Sequence, residues 1–329
     1  MSTLVFGGAG FVGLNITESL LAEGKPVVVF DRLALPAEAA AVFRTLPGRL
    51  QAIAGDVLDP VAVGSAFTGS IDCVVLGSAV TADAAREARD PETILQVNLM
   101  ALTILMRACR TGGVRRIVNL SSAAAYGSTA MDVACVTEDM APQPVGLYGI
   151  TKFSSEMVLN RLAQLWQMDL VNLRLSAAFG PWERATGVRD TTSAPFQITE
   201  AARSGQPALL ARPGVRDWIY APDVAQAVTM VLRAPVLRHR LYNVSSPHSW
   251  PALAWGQHLA TLQPGLECRL AREGETPTID FYAQADRAPL SVDRLHKELG
   301  WQARFGMADS AEHLQAWLQR FNPITEEST

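Results

Sequence analysis

The sequence predicts an α/β fold built on a doubly wound parallel sheet. Short apolar runs alternate with helix-length runs across the first half of the chain, the pattern of a parallel sheet with right-handed crossovers. The first apolar run opens into a glycine-rich turn and then a helix pattern. The ends of successive strands carry Gly7–Gly13, Asp31, Asp56, Gly77–Ala79 and Ser121–Ser122. In such a sheet these ends converge on one crevice.

Taken in order, Thr3-Leu4-Val5-Phe6 is a short strand that runs into Gly7-Gly8-Ala9-Gly10-Phe11-Val12-Gly13. A helix pattern follows, with Leu14, Ile16, Leu20 and Leu21 apolar and Gly24 as its stop. Gly7 suits a tight turn, Gly10 lets backbone approach a diphosphate, and Gly13 lets the helix pack on the strand. The helix N-terminus then offers free N–H groups to the phosphates. A second strand, Pro26 to Phe30, ends at Asp31, where a carboxylate can bond the hydroxyls of an adenosine ribose. Asp31 argues for NAD, because it would repel a 2′-phosphate. Arg32 beside it is able to receive one, so NADP stays open. The alternation continues with a helix over 37–46, a strand over 50–54, a helix near 61–67 and a strand over 71–76. Then come a helix over 92–110, a strand over 116–120, a helix opening at Leu147-Tyr148 and a strand over 170–175.

The bulk numbers narrow the class. A chain of 329 residues with 49% hydrophobic and 18% charged content is globular and buries a sizeable core. A net charge of −4 gives no sign of a nucleic-acid partner or an anionic membrane surface. The longest apolar run, near 94–108, contains Gln96, Asn98 and Arg107 and reads as a core helix. Cys73, Cys109, Cys135 and Cys268 are widely spaced and form no metal-binding pattern with the histidines, so no metal is expected. A reduced, cytoplasmic protein fits that cysteine usage. No basic leader segment precedes the first strand.

The helix that opens at Tyr148 carries the expected chemistry. Tyr148 and Lys152 are four apart and share one helical face. An ammonium near a phenol favours the phenolate and lowers its pKa from the usual value near ~10. Such a phenol exchanges a proton with a substrate hydroxyl near neutral pH. The chain has only Lys25, Lys152 and Lys297 as lysines among its 28 Lys+Arg, so an ammonium here stands out. Ser122 is placed to donate a hydrogen bond to the same substrate oxygen. Cys135, between Ser122 and Tyr148, is a further candidate thiol.

With these residues in place, the sequence resembles the short-chain dehydrogenase/reductase superfamily, in its extended branch of NAD-dependent sugar epimerases, dehydratases and related reductases. The resemblance covers nearly the whole chain. It rests on Gly7, Gly10, Gly13 and Asp31, on Ser121-Ser122-Ala123-Ala124-Ala125-Tyr126-Gly127, on Tyr148 and Lys152, on Phe179-Gly180-Pro181, on Arg216-Asp217-Trp218-Ile219-Tyr220-Ala221-Pro222-Asp223-Val224-Ala225, and on Leu299-Gly300-Trp301. The resemblance implies a Rossmann-type domain over 1–175, with 214–248 returning to it. The smaller C-terminal substrate-binding lobe would be built from 176–213 and 249–329. It implies that Tyr148 is the acid/base, Lys152 holds the nicotinamide ribose and Ser122 orients the reacting oxygen. The implied cofactor set is Gly7, Gly10, Phe11, Val12, Gly13, Asp31, Arg32, Asp56, Val57, Gly77, Ser78, Ala79 and Asn98, with Tyr148 and Lys152. Ser122, Ala177 and Arg216 are the expected substrate contacts.

Departures from the branch's patterns narrow the reaction. Sugar-nucleotide dehydratases of the branch carry Thr-Asp-Glu where this chain has Ser122-Ala123-Ala124, which disfavours a 4,6-dehydratase. Many nucleotide-sugar members have asparagine where Ala177 falls, which weakens a UDP-sugar epimerase. The segment from Trp182-Glu183-Arg184 to Ser193 has no counterpart in these motifs and is expected to shape substrate choice. Between Arg174 and Arg240 nine arginines face five acids, which suggests an anionic, sugar-like substrate. The expected activity is NAD(P)-dependent hydride transfer at a secondary alcohol or ketone of a sugar derivative. A nucleotide-sugar epimerase that oxidises its substrate transiently and a non-catalytic NAD(P)-binding regulator are the alternatives. The helices over 92–110 and 148–167 are apolar on more than one face, and in this superfamily such a pair builds a dimer contact. A homodimer is therefore expected.

Overall fold

The computed structural model of the chain describes residues 1–263, 265–283 and 285–321. Residues 322–329 of the expected lobe lie outside the described residues. The spine is a seven-stranded sheet. Six strands come from the first 175 residues: β1 (Thr3–Phe6), β2 (Val27–Asp31), β3 (Leu50–Ala54), β4 (Cys73–Leu76), β5 (Arg116–Ser122) and β6 (Leu170–Leu175). The seventh, Leu241–Val244, returns late and pairs with β6. The spatial order is β3-β2-β1-β4-β5-β6 and then the seventh strand, with every pair parallel. The chain thus winds outward from β1 in one direction and from β4 in the other. That reversal opens a crevice at the carboxyl ends of β1 and β4.

Twelve helices are named in chain order. They are α1 (Phe11–Ala22), α2 (Ala37–Thr45), α3 (Pro60–Ser65), α4 (Ala84–Arg89), α5 (Pro91–Leu95) and α6 (Ala101–Thr111). Then follow α7 (Leu147–Trp166), α8 (Ala194–Arg203), α9 (Ala221–Arg233), α10 (Ala252–Leu262), α11 (Asp293–Leu299) and α12 (Met307–Gln319). Leu14, Leu20, Val224, Val228 and Leu295, from α1, α9 and α11, pack on one face of the sheet. Val63, Leu105, Met106 and Leu159, from α3, α6 and α7, pack on the other. With both faces covered, β1, β4 and β6 bury every residue, which is why β1 and β4 are almost wholly apolar and why Asn172 and Arg174 inside β6 have buried polar partners. Phe179, Ile198, Leu210, Trp250, Trp255 and Leu314 form a further cluster outside the sheet. The Phe179 ring meets those of Trp250 and Trp255 edge-on at 5.5 and 5.2 Å.

Three expectations about elements are corrected. The continuous helix expected over 92–110 is interrupted by a wide π-turn at Gln96–Met100. Asn98 explains it: its side chain accepts from Val80 N–H and donates to Val80 O and Thr151 Oγ1, so the helix opens to bring the amide there. The span Pro91–Thr111 is long and apolar enough to cross a bilayer, yet Ile94, Leu102, Leu105 and Met106 are buried in the core. β4 begins at Cys73, two residues later than expected, where its pairing with Arg116 of β5 starts. α3 closes at Ser65, short of the expected Phe67.

One polar network fixes α7 against the sheet. Arg174 of β6 donates to Glu156 of α7 from Nε at 2.9 Å and from Nη2 at 2.6 Å, and both side chains are buried. Ser121 of β5 donates to the same carboxylate. The guanidinium also lies 4.3 Å from the centre of the Tyr126 ring. A forked pair of this kind sets direction as well as distance. Glu156 is one turn beyond Lys152, and Ser121 is next to Ser122, so the network sets the helix that carries Tyr148 relative to the strand that carries Ser122.

Candidate active site

A cavity of about 730 Å³ lies along the carboxyl edge of the sheet. Gly7, Gly10, Phe11, Val12, Gly13, Gly77, Ala79, Ser122, Tyr148, Lys152, Ala177 and Arg216 all line it. Residues expected to act together from six separate stretches of sequence therefore meet in one space. Asp31, Arg32, Asp56, Val57, Ser78 and Asn98 do not line it. Asp31 sits beside it, with Oδ2 accepting from Ala9 N–H at 3.0 Å and Oδ1 from Leu33 N–H at 2.9 Å. Asp56 follows β3 and accepts from Leu58 N–H. The Asn98 side chain is committed to Val80 and Thr151, as described above.

The glycine loop is built for close approach. A Cβ on Gly13 would lie 2.2 Å from the Gly7 carbonyl oxygen, so no other residue lets α1 start against this turn. The N-cap of α1 is Gly10, which offers no side-chain cap, and Phe11, Val12 and Gly13 line the cavity. Its first N–H groups and positive dipole end are therefore available to an anion.

The Tyr148 side of the cavity is equally constrained. Lys152 is buried; its Nζ donates to Leu120 O at 2.8 Å and lies 5.8 Å from the centre of the Tyr148 ring. An ammonium carries three donors, so two remain after that bond. Ser122 Oγ accepts from Ala124 N–H at 3.1 Å and caps the short turn Ala123–Ala125. Its own O–H is left to donate, so the local bond and the expected role are compatible. A Cβ on Gly149 would lie 2.5 Å from Ala124 O, so this glycine lets α7 close on that turn. Cys135 is exposed and does not line the cavity.

Sequence reasoning missed several neighbours of Tyr148. Glu87 of α4 accepts from Tyr148 N–H at 3.2 Å, at the start of a helix whose N-cap, Gly146, offers no side chain. The ring of Tyr282 stands edge-on to that of Tyr148 at 6.2 Å. Glu87 and Tyr282 are far from Tyr148 in sequence, and no local pattern announces either. Arg184 also lines the cavity. Its Nη2 donates to Ala9 O at 2.6 Å, and its Nη1 is buried with no protein partner.

The expected net-positive lobe is corrected by pairing. Arg174, Arg189, Arg203, Arg212, Arg233 and Arg240 sit against Glu156, Glu183, Glu200, Asp286, Glu23 and Asp169. Four of those acids lie outside the stretch whose charges were counted. Among the described residues, Arg184 and Arg216 are the two of the nine that line the cavity with no carboxylate in ion-pair range. Burial, reinforced by Arg287, pushes the Arg216 guanidinium down to about 10, so an anion beside it would be well received.

The model of the NAD dependent epimerase/dehydratase family matches residues 3–245. The chain belongs to that family. Its members are enzymes, which leaves a non-catalytic regulator without support. The chain is similar to a UDP-glucose 4-epimerase of Corynebacterium glutamicum, at 28% identity over 75% of each chain. It is also similar to a dTDP-glucose 4,6-dehydratase of Mycolicibacterium smegmatis, at 27% identity over 70% of this chain and 69% of that one. Among solved structures, MoeE5 in complex with UDP-glucuronic acid and NAD superposes with a TM-score of 0.77 at 25% identity, over 98% of this chain and 100% of that one.

Proposed function

We propose that this enzyme uses NAD to oxidise a secondary alcohol of a UDP-sugar-like substrate at the Ser122–Tyr148–Lys152 site. The meeting of those three side chains with the glycine loop in one cavity carries the reading. The residues fit NAD. Gly7, Gly10 and Gly13 leave room for a diphosphate, the uncapped start of α1 faces it, and Asp31 keeps free lone pairs for ribose hydroxyls. Gly77, Ser78 and Ala79 would flank the middle of the cofactor, Asp56 and Val57 its adenine, and Lys152 its second ribose. Asn98 would act at one remove, by holding Val80 against α7. When bound, the nicotinamide supplies the hydride acceptor. NADP remains an alternative through Arg32.

Tyr148 Oη, acting as the phenolate beside the positive charge of Lys152, takes the proton of the substrate hydroxyl and becomes the neutral phenol. Ser122 Oγ donates to the same substrate oxygen and fixes its distance from Tyr148. Arg216 receives the substrate's diphosphate, and Ala177 lines the same space. Residues 176–213 and 249–321 act as the substrate lobe, a division supported by the separate aromatic cluster around Phe179 and Trp255.

The relatives named as UDP-sugar 4-epimerases favour a closed cycle, in which the sugar is oxidised, turned and reduced again. Incubating the enzyme with NAD and a panel of nucleotide sugars, free sugars, sugar acids and polyols decides between the two outcomes. C4 epimers formed without a rise in NADH absorbance indicate the cycle. NADH accumulating with an oxidised sugar indicates a dehydrogenase. Neither product from any sugar, sugar acid, polyol or nucleotide sugar would overturn both.

Arg216→Ala is expected to raise KM for a UDP-sugar about 10- to 100-fold while changing kcat much less, because a charge-assisted bond is lost from ground and transition states alike. Unchanged KM would remove Arg216 from the diphosphate site.

The free protein is expected to be a cytoplasmic homodimer. Its four cysteines are unpaired. Large apolar side chains are exposed along α7 and the helix beside it, with Met157 at 59%, Leu165 at 55% and Met100 at 60% exposure. Burying that strip between two copies gives a four-helix contact. Light scattering at micromolar concentration should return twice the monomer mass, and a monomer mass would reject the contact.

A further inference from the structure

The segment from Pro181 to Asp190 crosses the crevice between the ends of β1 and β4 and is fastened to both walls. On the β1 side, the Asn15 side chain donates to Pro181 O at 2.8 Å, and Trp182 Nε1 donates to Glu18 at 2.7 Å. Arg184 then reaches Ala9 O in the glycine loop, and the Arg189 guanidinium lies 5.6 Å from the centre of the Phe11 ring. On the β4 side, Thr81 N–H donates to Val188 O at 2.8 Å and Asp190 N–H donates to Thr81 O at 3.1 Å. Arg86 of α4 completes that fastening, donating to Gly187 O at 2.8 Å and to Asp190 at 2.9 Å.

The two ends differ in strength. Trp182 holds a left-handed backbone, φ 66°, which a bulky residue adopts only when its surroundings impose it. Its ring is fixed by Phe43, Trp317 and Phe321, with centroids 5.9, 4.7 and 5.3 Å away. Next to it, buried Glu183 accepts from Ser193 N–H and Oγ and pairs with Arg189 at 2.8 Å. That end is part of the core. The other end is held by backbone bonds, by Asp83 N–H donating to Asp190 at 3.2 Å, by the half-buried Arg86–Asp190 pair and by the turn at Gly187, φ 72°. Bonds of that kind open locally, on the timescale of loop motion.

We propose that residues 181–190 form a latch over the bound coenzyme, with Arg184 as a coenzyme-phosphate contact and the Arg86–Asp190 pair as the point of release. The inference rests on the crevice being the coenzyme site. The buried, unpartnered Nη1 of Arg184 is a donor awaiting an acceptor in the cavity, next to the loop that begins α1. With the latch closed, the coenzyme has the sheet edge on one side and this segment on the other. Exchange then requires the β4 end to lift, whereas catalysis does not. A closed cycle that regenerates NAD in place is suited to such a device. A dehydrogenase, which must release NADH at each turnover, would be limited by it.

The test is stopped-flow fluorescence of NADH binding and release, with no sugar present. Arg86→Ala is expected to raise both the association and the dissociation rate about tenfold while leaving Kd within about threefold, because a gate slows both directions. Asp190→Asn, which keeps the side-chain size, should do the same and covers the case of a poorly folded Arg86 variant. Arg184→Ala should raise Kd about tenfold through dissociation alone, because it removes a contact and leaves the gate in place. Parent-like association and dissociation rates in both Arg86→Ala and Asp190→Asn would overturn the latch. No NADH binding by the parent would instead overturn the coenzyme site itself.

Discussion

Replacing Tyr148 with phenylalanine is expected to lower kcat by about 10²- to 10⁴-fold, the usual contribution of a positioned acid/base. The ring is retained, so its edge-on contact with Tyr282 and the neighbouring ammonium of Lys152 persist. NADH affinity, read by fluorescence, should therefore stay near that of the parent, and KM should move little. That split separates proton transfer from packing. Loss of both affinity and turnover would mean that the hydroxyl holds the site together. Undiminished turnover would remove Tyr148 from the chemistry.

The second large effect concerns stability. Glu156→Ala leaves the Arg174 guanidinium buried on β6 without its carboxylate and takes the acceptor from Ser121. Breaking one side of a buried pair costs about 3–5 kcal/mol, more than the pair itself contributes. Urea unfolding should show that loss as a lower midpoint with an unchanged slope. Glu156→Gln keeps an acceptor and should lose less. A change below about 1 kcal/mol in the alanine variant would show that water or a local shift relieves Arg174. Because the network joins α7 to β5 beside Ser122, turnover in the alanine variant should fall even where the protein remains folded.

Much of the frame was legible because its signals are local. β1 and β2 follow from apolar runs closed by Gly7 and Asp31, and the glycine loop announces itself by strand, turn and helix in sequence. The features that escaped depend on contacts between distant residues. Asn98 opens a π-turn only because Val80 and Thr151 await its amide, and 3.6-residue periodicity carries no trace of that. The arginine excess looked like a positive lobe because Glu23, Asp169 and Asp286, which pair with Arg233, Arg240 and Arg212, lie outside the stretch counted. Glu87 reaches the start of α7 from 61 residues away. Arg184 belonged to a stretch whose only readable property was its unfamiliarity. The fold shows it meeting the glycine loop, because β1 and the segment after β6 converge on one edge of the sheet.

The most direct test is a crystal structure of the enzyme with NAD and a UDP-sugar. Tyr148 Oη and Ser122 Oγ should both lie about 2.6–3.2 Å from one sugar hydroxyl, with the nicotinamide against that carbon and Lys152 on the adjoining ribose. A coenzyme bound along the glycine loop whose nicotinamide ends away from Tyr148, or a sugar out of reach of that phenol, would contradict the proposed chemistry.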